Sequence, residues 1–203
     1  MVKKRVAVLI SGRGSNMAAL IEAAKTDDYP AEIALVVSNR ADAAGLGHAR
    51  GHGVATALID HREFGEDREA FERALDEILR ANRIEIVCLA GFMRVLTPWF
   101  VARWSGRLLN IHPSLLPDFK GLDTHRRAIA AGAKHHGATV HFVVAEIDAG
   151  PVIAQEAIDV RNDDTEAALA KRVLEVEHRL YPRALREVAE GRAKLTASRP
   201  GEG

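Results

Sequence analysis

Val6-Ala7-Val8-Leu9-Ile10-Ser11-Gly12-Arg13-Gly14-Ser15-Asn16 sets the reading of the whole chain. Five consecutive apolar residues leave no solvent face, the pattern of a parallel strand covered on both sides. Ser11-Gly12 closes that strand. Asn16 can then cap a helix running to about Lys25, with Ala18, Ala19, Leu20, Ala23 and Ala24 as apolar positions. Strand, glycine turn and helix together form the opening unit of a Rossmann-like sheet.

The unit recurs. Strands are predicted over 33–37, 55–59 and 84–89, with helices over 41–50 and 66–80 between them. The second helix shows a clear period at Ala70, Phe71, Ala74, Leu75 and Ile78. Thr97-Pro98 opens another helix, where proline suits the first turn. Leu108-Leu109-Asn110-Ile111-His112-Pro113 reads as a buried strand that Pro113 terminates. Beyond Pro117 the pattern changes. Strands over 138–144 and 152–160, joined by a loop holding Asp148-Ala149-Gly150-Pro151, suggest an antiparallel extension of the sheet. A long helix is predicted over 164–190, with Thr165 as its cap and Pro182 bending or interrupting it. The expected fold is α/β: a mostly parallel sheet with helices on both faces and an antiparallel extension in the C-terminal half. We expect one domain over 1–203, with a phosphate-binding half to about 105, a second half over 106–190 and a flexible tail over 191–203.

Composition narrows the function classes. The 203 residues carry 28 Lys plus Arg against 28 Asp plus Glu, so no global field draws the chain to nucleic acid or anionic lipid. No apolar stretch approaches membrane-spanning length, and the run over 6–10 is too short for a signal peptide. The single cysteine, Cys88, permits no internal disulfide and reads as a small buried hydrophobe rather than a nucleophile. A soluble cytoplasmic protein is expected.

Three places carry chemistry. Gly14, Ser15 and Asn16 lie where a helix N-terminus presents unpaired N–H groups, so this turn can hold a phosphate. A dinucleotide fingerprint would need glycine at position 17, where Met17 stands, and an acid after the second strand, where Val37-Ser38-Asn39 stands. Arg40 could meet a 2′-phosphate, which keeps an NADP reductase as a rival. A phosphate on a smaller molecule fits better. Asn110 and His112, two apart on a strand, share a face at its end. Asp148 stands in a turn, where it could be an ordinary turn residue or a partner for that face. Among the other histidines, His135 and His136 read as a solvated turn, and no metal-ligand spacing is present. His141 reads equally as a satisfied core histidine or a support for the site.

With these residues in place, the chain resembles the phosphoribosylglycinamide formyltransferases, the folate-dependent enzymes of purine synthesis. The resemblance covers about 5–190. Besides the segments above, it rests on Leu89-Ala90-Gly91-Phe92-Met93-Arg94, Gly121-Leu122-Asp123-Thr124-His125 and Glu177-His178. It implies transfer of a formyl group from 10-formyltetrahydrofolate to the amine of phosphoribosylglycinamide without metal, by a monomer or homodimer. By matching position, it implies Asn110, His112 and Asp148 as catalytic residues, and Gly14, Ser15, Asn16 and Glu177 as ribonucleotide contacts. For the folate it implies Arg68 at the tail, and Met93, Arg94, Val95, Leu96, Val144, Ala145, Glu146, Ile147 and Asp148, with Asn110, around the pterin. Arg13 and Asp123 depart from some forms of the family. The implied reaction develops negative charge on the formyl oxygen, which preorganised donors on Asn110 and His112 would meet. An adjacent Asp148 would favour the charged form of His112. A non-catalytic nucleotide-binding module is the rival of another class.

Overall fold

In the computed structural model, which describes residues 2–195, seven strands form one sheet in the order β3-β2-β1-β4-β5-β6-β7. The elements run β1 (Lys4–Ile10), α1 (Ser15–Ala24), β2 (Ala31–Ser38), α2 (Ala44–Gly51), β3 (Ala55–Leu58), α3 (Arg68–Ala81), β4 (Ile86–Leu89), α4 (Pro98–Arg103), β5 (Leu108–His112), α5 (Thr124–Ala130), β6 (His135–Phe142), β7 (Val152–Asp159) and α6 (Glu166–Ala189). The first five strands in the chain pair in parallel, and β6 and β7 join antiparallel, as predicted. The winding reverses between β1 and β4. Crevices at such reversals, beyond the strand C-termini, are where α/β sheets place ligands.

Alternation along β1 explains why every residue of its apolar run is buried. Val6, Val8 and Ile10 enter a core with Met17 and Leu20 of α1 and Val173, Val176 and Leu180 of α6. Ala7 and Leu9 enter the opposite core, with Phe71, Leu75 and Leu79 of α3 and Phe100 of α4. Cys88 is fully buried, and desolvation pushes its thiol up to about 12, so it stays an inert thiol.

Several expectations need correction. Asn16 does not cap α1: Gly14 occupies that position with φ +74°, and no side chain caps the helix. Pro182 does not interrupt α6, because the buried stripe of Leu169, Val173, Val176, Leu180 and Leu185 holds the helix on both sides of it. The carbonyl of Pro182 also accepts a hydrogen bond from the Tyr29 hydroxyl at 2.7 Å. His135 and His136 open β6 rather than forming a turn. His135 is exposed, whereas His136 is buried against His125 and Phe119. Helix α5 and a 3-10 turn at His61–Phe64 are additions, each too short to show a period in sequence. Of the tail, the N–H groups of Gly191, Arg192 and Ala193 donate back to the carbonyls of Val188 and Glu187, and residues 196–203 lie outside the described residues.

Candidate active site

The site forms where β1, β4 and β5 end. Asn110 and His112 share a face of β5, and the antiparallel register sets His141 of β6 directly opposite Asn110. The Asn110 Nδ2 lies 3.3 Å from His141 Nε2. Desolvation lowers the His141 pKa, so the ring is neutral near pH 7. Its Nδ1 faces the Phe142 carbonyl at 2.9 Å, which assigns the single N–H to that nitrogen. Nε2 is then the acceptor, and it fixes which way the Asn110 amide turns. One Asn110 N–H is engaged there, which leaves the second for a ligand.

His112 is buried, with Nε2 donating to the Phe119 carbonyl at 3.0 Å and Nδ1 3.4 Å from Asp148 Oδ2. A neutral imidazole has one N–H and can serve only one of these acceptors, whereas imidazolium serves both. Asp148 sits in the left-handed region at φ 51° and also accepts from the Gly121 N–H at 2.9 Å. Its other oxygen lies 3.8 Å from His141 Nε2. The 146–150 loop and the 117–123 loop thus meet at one carboxylate, bringing Asp148 to residues remote in sequence. Behind His112, Thr139 and Gln155 bind the turn after β5: Leu116 N–H donates to Thr139 Oγ1, and Gln155 donates to that hydroxyl and to the Leu116 carbonyl.

At the start of α1 the side chain of Asn16 donates to Glu177 Oε2 of α6 at 2.5 Å. Burial raises the Glu177 pKa and this bond opposes the rise. The Asn16 Oδ1 is buried without a partner among the described residues. The first helical bond runs from Ala18 N–H to the Gly14 carbonyl, so the N–H groups of Ser15, Asn16 and Met17 precede the intrahelical ladder. The open N–H groups suit an anion, and the orphaned acceptor beside them calls for a ligand hydroxyl or N–H.

Arg68 is exposed in the first turn of α3. Met93, Val95 and Ile147 are exposed large apolar residues on the two segments expected to meet the pterin, at 70%, 53% and 55%. Such exposure in a domain with a filled core marks surface that a ligand can cover. Arg94 lies over the Phe71 ring at 4.8 Å, Leu96 packs on the α3–α4 core, and Lys120 pairs with Glu146 at 3.0 Å. Val144 and Ala145 follow β6 and lead into the Asp148 loop. A separate groove lined by His135, Asp159, Arg161, Arg172 and Arg179 contains none of these residues. Two of its cations are already spent, Arg172 on Asp164 and Arg179 on Glu156.

Sequence reading missed the Phe119 carbonyl, the Gly121 N–H and the Thr139–Gln155 brace, and left His141 undecided. Backbone groups carry no sequence signal. For His141, only the register opposite Asn110 distinguishes the two alternatives.

No described helix is long and apolar enough to cross a membrane. The formyl transferase family profile matches residues 4–185. The chain is 46% identical over 190 residues to the phosphoribosylglycinamide formyltransferase of Escherichia coli (strain K12), covering 94% of this chain and 89% of that protein. It is 49% identical over 193 residues to the trifunctional purine biosynthetic protein adenosine-3 of Gallus gallus, covering 95% of this chain and 19% of that one. The chain therefore spans about a fifth of the length of that trifunctional relative. Among solved structures, phosphoribosylglycinamide formyltransferase from Brucella melitensis superposes with a TM-score of 0.89 at 50% identity, over 93% of this chain and 97% of that one. The Coxiella burnetii enzyme, in complex with CHES, gives 0.91 at 43% identity, over 96% and 91%. The chain belongs to the formyl transferase family, in its phosphoribosylglycinamide formyltransferase branch.

Proposed function

We propose that this chain, acting as one formyltransferase domain, transfers the formyl group of 10-formyltetrahydrofolate to the amine of phosphoribosylglycinamide. The observation that carries the reading is the grouping of Asn110, His112 and Asp148 at the end of β5, with His112 held between a carbonyl and a carboxylate. When bound, the folate supplies the formyl carbon. Asn110 contributes a neutral N–H donor that needs no protonation, oriented by His141. His112 in its charged form sets a positive charge beside the negative charge that develops on the formyl oxygen. One of its N–H groups, released from its carbonyl or carboxylate partner, would pass a proton to the departing nitrogen, and the proton that the attacking amine loses would restore it. Asp148 balances the charge on His112 and fixes the ring.

The open N–H groups at Ser15 and Asn16 after Gly14 would hold the substrate phosphate, with Glu177 toward the ribonucleotide. Arg68 would meet the folate tail. Residues 93–96 and 144–148 would enclose the pterin, and the exposed apolar side chains there support this placement. Both ligands are small molecules.

The test is formyl transfer by purified protein supplied with both substrates, against His112→Ala. That variant should lose most turnover and still bind the ribonucleotide. Near-normal kcat in His112→Ala would overturn the mechanism, and no transfer by the wild type would overturn the activity.

A further inference from the structure

Ser11 joins the two halves of the site. It follows β1, one of the two strands at the winding reversal, and it is buried. Its N–H donates to the Gly91 carbonyl at 3.1 Å, and its Oγ accepts from the Met93 N–H at 2.8 Å. The same hydroxyl donates to Asn39 Oδ1 at 2.6 Å. Asn39, itself buried after β2, is held in turn by His61, whose Nδ1 lies 2.8 Å from the Asn39 carbonyl. The donor and acceptor of the Ser11 hydroxyl are therefore both engaged within the protein, in a cluster at the ends of β1, β2 and β4.

Phe92 and Leu96 pack the segment held by Ser11 on the α3–α4 core and Arg94 lies over the Phe71 ring, but its backbone has few polar anchors. Gly91 turns through φ +71°, Met93 and Val95 are exposed, and the next polar anchor is at Thr97. There the Thr97 N–H donates to Glu72 Oε1 of α3 at 2.7 Å, and the Thr97 hydroxyl bonds the other carboxylate oxygen. Ser11 and Glu72 are thus the polar anchors at the two sides of residues 92–96.

We infer that Ser11 is a positioning residue: it belongs to the turn that leads to the ribonucleotide phosphate, yet its hydroxyl sets the backbone of the segment that meets the folate. The inference rests on the ligand placement proposed above. In Ser11→Ala the Met93 N–H loses its acceptor and Asn39 Oδ1 its donor, while Gly14, Ser15 and Asn16 keep theirs. Loss of one such bond corresponds to a roughly three- to tenfold weakening of what depends on it.

Two readouts test this. Amide hydrogen exchange in the free protein should show Met93 exchanging faster in Ser11→Ala than in wild type. Calorimetric titration should show the Kd for tetrahydrofolate rising roughly three- to tenfold, with the Kd for phosphoribosylglycinamide and the saturated kcat little changed. Ser11→Thr, which keeps the hydroxyl, should restore both readouts. An unchanged tetrahydrofolate Kd, or equal weakening of both ligands, would overturn the inference while leaving the proposed activity standing. Wild-type protein that binds neither ligand would overturn the activity, and the inference with it.

Discussion

The side-chain amide of Asn110 and the imidazole of His141 face each other across the β5–β6 ladder, Nδ2 to Nε2, at 3.3 Å. Because His141 spends its N–H on the Phe142 carbonyl, it can only accept from Asn110, and the amide cannot flip without losing the contact. Asn110→Ala should lower kcat by roughly 10²–10³, the usual loss for one oxyanion donor. His141→Ala should cost less, about tenfold, because the amide stays but is no longer aimed. The double variant should fall short of the product of the two losses, since both act through one donor. Independent, multiplicative losses would show that His141 does not act through Asn110.

Gly150 is held where a side chain cannot go. A Cβ there would stand 1.7 Å from the Phe142 carbonyl oxygen, so Gly150→Ala must displace the turn that carries Asp148. We expect kcat to drop by about 10², the scale of an ångström's misplacement, with ribonucleotide affinity retained. Steady-state kinetics and titration of the ribonucleotide on the same preparation separate the two. Activity close to wild type would mean that Asp148 need not sit where the Gly150 turn holds it.

His125 and His136 share one hydrogen bond, Nδ1 to Nε2 at 3.2 Å, next to the loop that carries Phe119. Burial lowers both pKa values, that of His136 to about 4 from an ordinary 6.5. The unfolded chain therefore binds the His136 proton first as pH falls. The stability tied to its neutral ring is fully present above pH 6.5 and is lost progressively as pH falls toward about 4. Across that window His136 contributes a slope of up to about 1.4 kcal/mol per pH unit. Denaturant unfolding of wild type and His136→Gln between pH 4 and 7 should show a shallower slope in the variant. Parallel curves would refute the burial argument for His136.

The two ligands should be separable by charge. Ser15→Asp sets a carboxylate where a phosphate would bind, so it should weaken phosphoribosylglycinamide strongly and the folate little. Arg68→Ala would remove the exposed residue proposed to meet the folate tail, a pair worth about 1 kcal/mol or less. It should raise the folate KM several-fold at most, leave kcat nearly intact, and lose its effect at high salt. Equal effects of either variant on both ligands would refute the assignment of that residue.

Much of the fold is legible along the chain because its signals are local. The apolar run from Val6 to Ile10 has to be buried on both faces, the two-residue period aligns Asn110 with His112, and Pro113 has to end that strand. Glycine at position 14 permits the left-handed turn that opens α1, although the same stretch misled the reading of Asn16 as a cap. Thr165 and Thr97 cap the helices they precede, as their chemistry predicts.

Contacts between distant residues were decided by tertiary structure alone. Asn16 meets Glu177 only because α1 and α6 pack on the same face of β1. His141 meets Asn110 because the antiparallel ladder has that register, and a shift of one residue would turn its ring to the opposite face. Burial of His136 follows from the start of β6, and the carbonyl and N–H that hold His112 and Asp148 come from backbone atoms every residue possesses. Local periodicity shows which way a side chain faces. What it faces depends on strand register and loop closure, which bring together residues far apart in the chain.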